Sequence, residues 1–140
     1  MSVDLRRVFD DLVRFETDLW NGIDARLRQA GAVPLGSLNV LQVVQRTPGC
    51  RVNDVADALS ITIGGASQAV DRLTARGLCE RRPNPDDRRS SIVDLTEAGS
   101  SAIAAAETVF DAELAVRFGA LSPATLRSLA RALSTLRHGG

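Results

Sequence analysis

The stretch LSITIGGASQAVDRLTARGLCERRPNPDDRRSSIVDLT, residues 59–96, decides how this chain is read. Thr62 is placed to cap a helix over 63–76. The apolar positions of that helix are Ile63, Ala66, Val70 and Leu73, and Gly77 closes it. Its opposite face carries Ser67 and Gln68, with Asp71 and Arg72 partly on it, which suits a core poorly. Alternating residues over 78–82 and 91–95 predict two strands, with Leu78 and Ile92/Val93 facing inward. Pro83, Asn84 and Pro85 make a stiff turn between them, and the tip carries Asp86, Asp87, Arg88 and Arg89. Helix, hairpin and arginine tip together predict a winged helix-turn-helix.

Upstream, NDVADAL is a short helix that Asn53 is expected to cap, with Asp54 in its first turn where the helix dipole favours a carboxylate. Val55, Ala56 and Leu59 face inward. Residues 35–46 form the helix before it, stopped by Thr47-Pro48-Gly49. Residues 3–30 read as a long amphipathic helix ended by Gly31. Its stripe includes Leu5, Val8, Phe9, Leu12, Phe15, Leu19, Trp20 and Ile23, and is broader than one partner inside a small monomer requires. Downstream, Thr96 caps a helix over 97–119. Ser122 and Pro123 start a last one bearing Leu126, Leu129, Leu133 and Leu136. The fold class is mainly α with a small β-hairpin (α+β).

Composition narrows the function. The 140 residues are 44% hydrophobic and 24% charged, ordinary for a globular chain, with aromatics at only 4%. No run is apolar enough to span a membrane and the start resembles no secretory leader, so the cytoplasm is expected. Cys50 and Cys79 make no disulfide framework, lie in no metal-binding spacing, and are expected to be buried and inert. Neither a metal nor a cofactor is expected. No nucleophile–base pair, carboxylate dyad or phosphate loop stands in a context that suggests an enzyme. Seventeen basic residues, all arginine, balance seventeen acids. The balance is uneven locally: residues 72–89 hold six arginines (72, 76, 81, 82, 88, 89) against three acids (80, 86, 87). Binding answers to the field at the contacting face, not to the net charge.

A helix-turn-helix sets its second helix in the major groove. Gln68 can pair with adenine, Arg72 with guanine, and Ser67 with donors or acceptors. Thr62, Gly64 and Gly65 bring the helix start and bare backbone close to a phosphate. Arg88 and Arg89 suit a narrow minor groove, with Asp87 placed to orient a guanidinium through a carboxylate fork. The competing reading from another class is a winged-helix module for protein–protein contacts that does not bind specific DNA.

Residues 51–99 resemble the MarR family of winged-helix transcription regulators. The resemblance rests on VNDVADAL (52–59) and VDRLTARGLCERRPNPDDRRSSIVDLTEAG (70–99), which hold a D-R-L, the R-x-P-x-P turn, the wing D-x-R as Asp87-Arg88-Arg89, and L-T-x-x-G as Leu95–Gly99. It implies an obligate homodimer built by residues 1–34 and 97–140, with 35–96 as the DNA-binding region. It further implies double-stranded DNA as partner, through a pseudo-palindromic operator whose half-sites lie about 34 Å apart. Ser67, Gln68 and Arg72 would face the major groove, and Arg89, braced by Asp87, the minor groove. Many relatives release DNA when a small aromatic acid binds. Trp20, Phe15 and Phe9 of the first helix, with Arg14 nearby, could line such a pocket. Some relatives sense oxidants through a cysteine in the first helix, where this chain has none.

Overall fold

The computed structural model describes residues 2–139. Six helices and one hairpin follow in the order α1 (Leu5–Gln29), α2 (Leu35–Arg46), α3 (Val52–Leu59), α4 (Ile63–Ala75), β1 (Cys79–Pro83), β2 (Ser91–Leu95), α5 (Glu97–Arg117) and α6 (Pro123–His138). Helix ends follow their caps. Asp4 caps α1 through the amides of Arg6 and Arg7, so the helix starts at Leu5 and not at residue 3. Gly31 and Gly77 take positive φ just past α1 and α4, where an L side chain is strained. Arg51, not Asn53, is the N-cap of α3. Its amide donates to the Asp54 carboxylate at 2.8 Å, so the acid three residues on performs the capping.

The core gathers the inner faces of α2, α3 and α4 with the C-terminal half of α1. Leu27, Leu38, Leu41, Val55, Val70, Leu73, Val93 and Ile103 are fully buried there. β1 and β2 pair antiparallel from Cys79↔Leu95 to Pro83↔Ser91. The hairpin is tied to the rest of the fold at two points. Midway along β2, the Val93 amide donates to the Cys50 carbonyl at 2.7 Å, tying the strand to the turn before α3. Thr96 joins it to α5: its hydroxyl donates to the Gly77 carbonyl at 2.6 Å and accepts from the Gly99 amide at 3.0 Å. Gly99 sits against the Leu78 carbonyl, where any Cβ would overlap it. The L-T-x-x-G sequence is thus a clamp between wing and helix.

The long helices are only half covered. α5 crosses α1 where Glu113 accepts from Arg117 Nε at 3.0 Å and meets Arg26 Nε at 3.6 Å. The Arg117 guanidinium lies over Gly22, in a notch that a Cβ would fill. Beyond that crossing, Val3, Leu5, Val8, Phe9, Leu12, Val13 and Phe15 are exposed. α6 buries no residue, and its Leu136 is 75% exposed. No described helix is long and apolar enough to cross a membrane.

Candidate nucleic-acid interface

At 3.6 residues per turn, the buried stripe of α4 is Ala66, Val70 and Leu73. The opposite ridge is Gly64, Gln68 and Asp71, all exposed. One flank, Ile63 and Ser67, turns toward the wing. The other, Gly65, Ala69 and Arg72, turns toward α1 and α2. Thr62 starts the helix by accepting from the Gly65 amide at 3.0 Å. Its hydroxyl is therefore engaged in the cap.

On the wing flank lies a groove of about 410 Å³. It is walled by Arg51, Val52 and Asn53 at the start of α3, by Ile63 and Ser67 of α4, and by Arg81, Asp87 and Arg89–Ser91 of the hairpin. Side chains far apart in sequence thus share one concave, arginine-rich face. An ion pair fixes the wing to the helix: Arg81 Nη2 meets Asp71 Oδ1 at 2.6 Å, and Arg81 Nη1 donates to Ser91 Oγ. Arg82 pairs diagonally across the hairpin with Asp94, also at 2.6 Å. Two of the six local arginines are therefore engaged internally. Among the described residues no ion pair involves Arg72, Arg76, Arg88 or Arg89.

The wing tip is built differently from the expectation. Asp87 Oδ1 accepts the backbone amide of Arg89 at 2.9 Å and forms no ion pair with a guanidinium. A carboxylate two residues before an amide closes an Asx-type turn more readily than it reaches an adjacent side chain. Asn84, read only as a turn residue, is buried at the centre of the tip. Its Nδ2 donates to Ser90 Oγ at 3.0 Å, and its Oδ1 accepts from the Asp86 amide at 3.0 Å. The asparagine between two prolines was the available signal. Arg88 is exposed, outside the groove's lining.

The second flank of α4 walls a cleft of about 660 Å³ with α1 and α2. Trp20, Asp24 and Arg28 of α1, Ser37 and Asn39 of α2, and Gly65 and Arg72 of α4 line it. Gly65 and Arg72 therefore stand apart from Ser67 and Arg89. Trp20 is at this cleft, but Phe15 and Arg14 are not. Phe15 packs edge-on against Phe118 at 5.6 Å, and Arg14 pairs with Asp10 at 3.6 Å. They lie one turn and more before Trp20, where α1 has left α2. The Asp24 carboxyl is held below its usual range, first by the Leu35 amide and then by Arg28, both at 2.9 Å. Asp24 thus anchors the start of α2 as a fixed negative wall.

Cys50 and Cys79 are buried, and burial pushes both thiols up to about 11, with the Asp54 charge adding to the shift at Cys50. Such thiols form little nucleophilic thiolate near neutrality. No group of three or more metal-ligating side chains occurs among the described residues.

Residues 33–90 match the model of the MarR family. The HTH-type transcriptional regulator BilQ of Clostridium symbiosum is 30% identical over 82 residues, 59% of this chain and 57% of that protein. The chain spans about half the length of the curated relatives it matches, between 33% and 57%. Among solved structures, Sco3205, a MarR family transcriptional regulator from Streptomyces coelicolor in complex with DNA, superposes with a TM-score of 0.88. It is 22% identical, over 99% of this chain and 89% of that one. CouR from Rhodococcus jostii RHA1, bound to p-coumaroyl-CoA, gives 0.77 at 23% identity over 89% and 87%.

Proposed function

We propose, from the premise that this chain belongs to the MarR family, that it is a dimeric DNA-binding transcription regulator, a repressor released by a small molecule. The observation that carries the proposal is the groove between α4 and the wing. It joins Ser67, Arg81 and Arg89 on one face beside the exposed ridge of Gly64 and Gln68. In this reading the ridge meets base edges in the major groove. Arg88 and Arg89 meet the minor groove and its phosphates. That a similar fold is solved with DNA supports the mode of contact.

Exposed area supports the dimer. The chain exposes 9582 Å², whereas a compact monomer of 14.9 kDa exposes about 7,000 Å². The excess, about 2,500 Å² per protomer, suits an obligate interface. The apolar faces of α1 and α6 provide it. The cleft between α1, α2 and α4 is the proposed effector site, and CouR, of similar fold and solved with the aromatic acyl thioester p-coumaroyl-CoA, supports a small-molecule effector. Trp20 is the only tryptophan and lines that cleft, so its fluorescence reports occupancy directly.

The test is anisotropy of the full-length chain on duplexes selected from a random pool, repeated across salt. The four arginines of residues 72–89 that make no ion pair among the described residues, counted as phosphate contacts in both protomers, give about eight contacts per dimer and a slope near −7 in log K against log salt. Absence of salt-sensitive binding to every duplex would refute the DNA-binding reading and leave the protein–protein module.

A further inference from the structure

We propose that Ile63 reads a thymine 5-methyl group in the major groove, an inference that rests on the DNA-binding reading above. Ile63 is the first residue of α4 and is 59% exposed, while Ala66, Val70 and Leu73 of the same helix are buried. It contributes nothing fully buried to the core, although its angular position borders the buried stripe. Cα–Cβ bonds in a helix tilt toward the N-terminus. The Ile63 side chain therefore projects past the helix start into the groove it shares with Ser67 and Arg89.

The surroundings select the occupant. Arg51, Arg81 and Arg89 wall the same groove against one carboxylate, Asp87; Arg51 and Arg81 are paired with Asp54 and Asp71, and Arg89 is the guanidinium left to meet a polyanion. On the major-groove edges of a duplex the distinctive apolar group is the thymine methyl, which side chains meet by apolar contact. Ser67 stands one turn further along the same flank, able to donate to or accept from the neighbouring base. Gly64 completes the arrangement. An added Cβ at residue 64 would meet no protein atom within 4 Å, so no internal packing demands a glycine there. A bare backbone beside Ile63 lets the start of α4 approach the base edges closely.

The experiment replaces each dT of a selected duplex with dU, one half-site position at a time, which removes only the methyl group. Binding of the full-length chain is measured by anisotropy at fixed salt. One position is expected to lose about fourfold in affinity, the worth of one buried methyl. Ile63→Ala should bind dT and dU duplexes equally at that position and keep the salt slope. Ile63→Val, which retains contact methyls, should restore the preference, and circular dichroism should show all three proteins folded. If the chain binds duplexes with a steep salt slope but Ile63→Ala leaves every dT-to-dU difference unchanged, the methyl-reading assignment falls and DNA binding stands. The assignment also falls, with DNA binding intact, if no position responds to loss of the methyl. If the chain binds no duplex at all, both fall.

Discussion

Replacing Gly64 with alanine should raise stability and lower DNA affinity at once. The position is in the first turn of α4, exposed, with no heavy atom within 4 Å of an added Cβ. Alanine is favoured over glycine by about 1 kcal/mol in a helix interior and by roughly half that in the first turn. The folded protein should gain about 0.5 kcal/mol, or roughly 2 °C in Tm for a chain of this size. On the duplex the same methyl group stands on the outermost ridge, between the helix backbone and the base edges. Holding the helix off by part of an ångström should cost at least about tenfold in affinity, 1.4 kcal/mol. Urea melts and anisotropy titrations at equal protomer concentration and equal salt measure both effects. Gly65→Ala is the control. Its Cβ would meet Thr62 Oγ1 at 3.1 Å, so strain on the cap should offset the propensity gain. A Gly64→Ala protein that is more stable and binds with unchanged affinity would refute the placement of this ridge against DNA.

Gly99→Ala should cost about 3 kcal/mol in a urea melt, because its Cβ would overlap the backbone carbonyl of Leu78. Leu133→Glu with Leu136→Glu should give a helical monomer by light scattering; an intact dimer would contradict the role given to α6. Asp71→Asn removes the partner of Arg81 at a surface pair worth under about 1 kcal/mol, so stability should barely move. Anisotropy should show non-selected duplexes binding a few-fold tighter, and a smaller preference for the selected one as the wing loses its tie to α4. Iodoacetamide at pH 8 should leave Cys50 and Cys79 unmodified in the native protein and label both in urea. With both thiols near 11 in the fold, stability should hold below about pH 8.5 and fall from there toward 11, as the unfolded state releases those protons first.

Much of the fold is legible from local chemistry alone. Thr62, Thr96 and Ser122 each cap the helix that their sequence context announces, and Gly31 and Gly77 end helices with positive φ. These signals act within a few residues, so the chain states them directly. What is not legible depends on position along an element's axis or on distant partners. Ile63 has the right angle for the core but lies one turn beyond it, and periodicity reports only the angle. Asp71 and Arg81 read as loose surface charges until the hairpin folds back and sets them 2.6 Å apart. Arg14 and Phe15 are close to Trp20 in sequence but stand about 120–140° round α1 from it, so one cleft does not collect all three.

The division of α4 into two flanks bears on regulation. The place of Arg72 in the helix suits base contact, yet the residue walls the cleft shared with Trp20 and Asp24. It follows Gln68 by four residues and lies about 40° round from it, so one long side chain can serve either the outer ridge or the cleft. Asp24 repels an anion in that cleft while Arg72 attracts one, and Arg28 is already engaged by Asp24. An anionic occupant would therefore draw on Arg72 first, the guanidinium that a duplex would also draw on in the proposed reading. If the two compete for it, the coupling is reciprocal: the occupant weakens the duplex by the factor by which the duplex weakens the occupant. One shared arginine supports a coupling of about tenfold, or 1.4 kcal/mol, within the usual 1–3 kcal/mol. A much larger effect requires the second state to move α4 itself, and with it the Asp71–Arg81 tie to the wing.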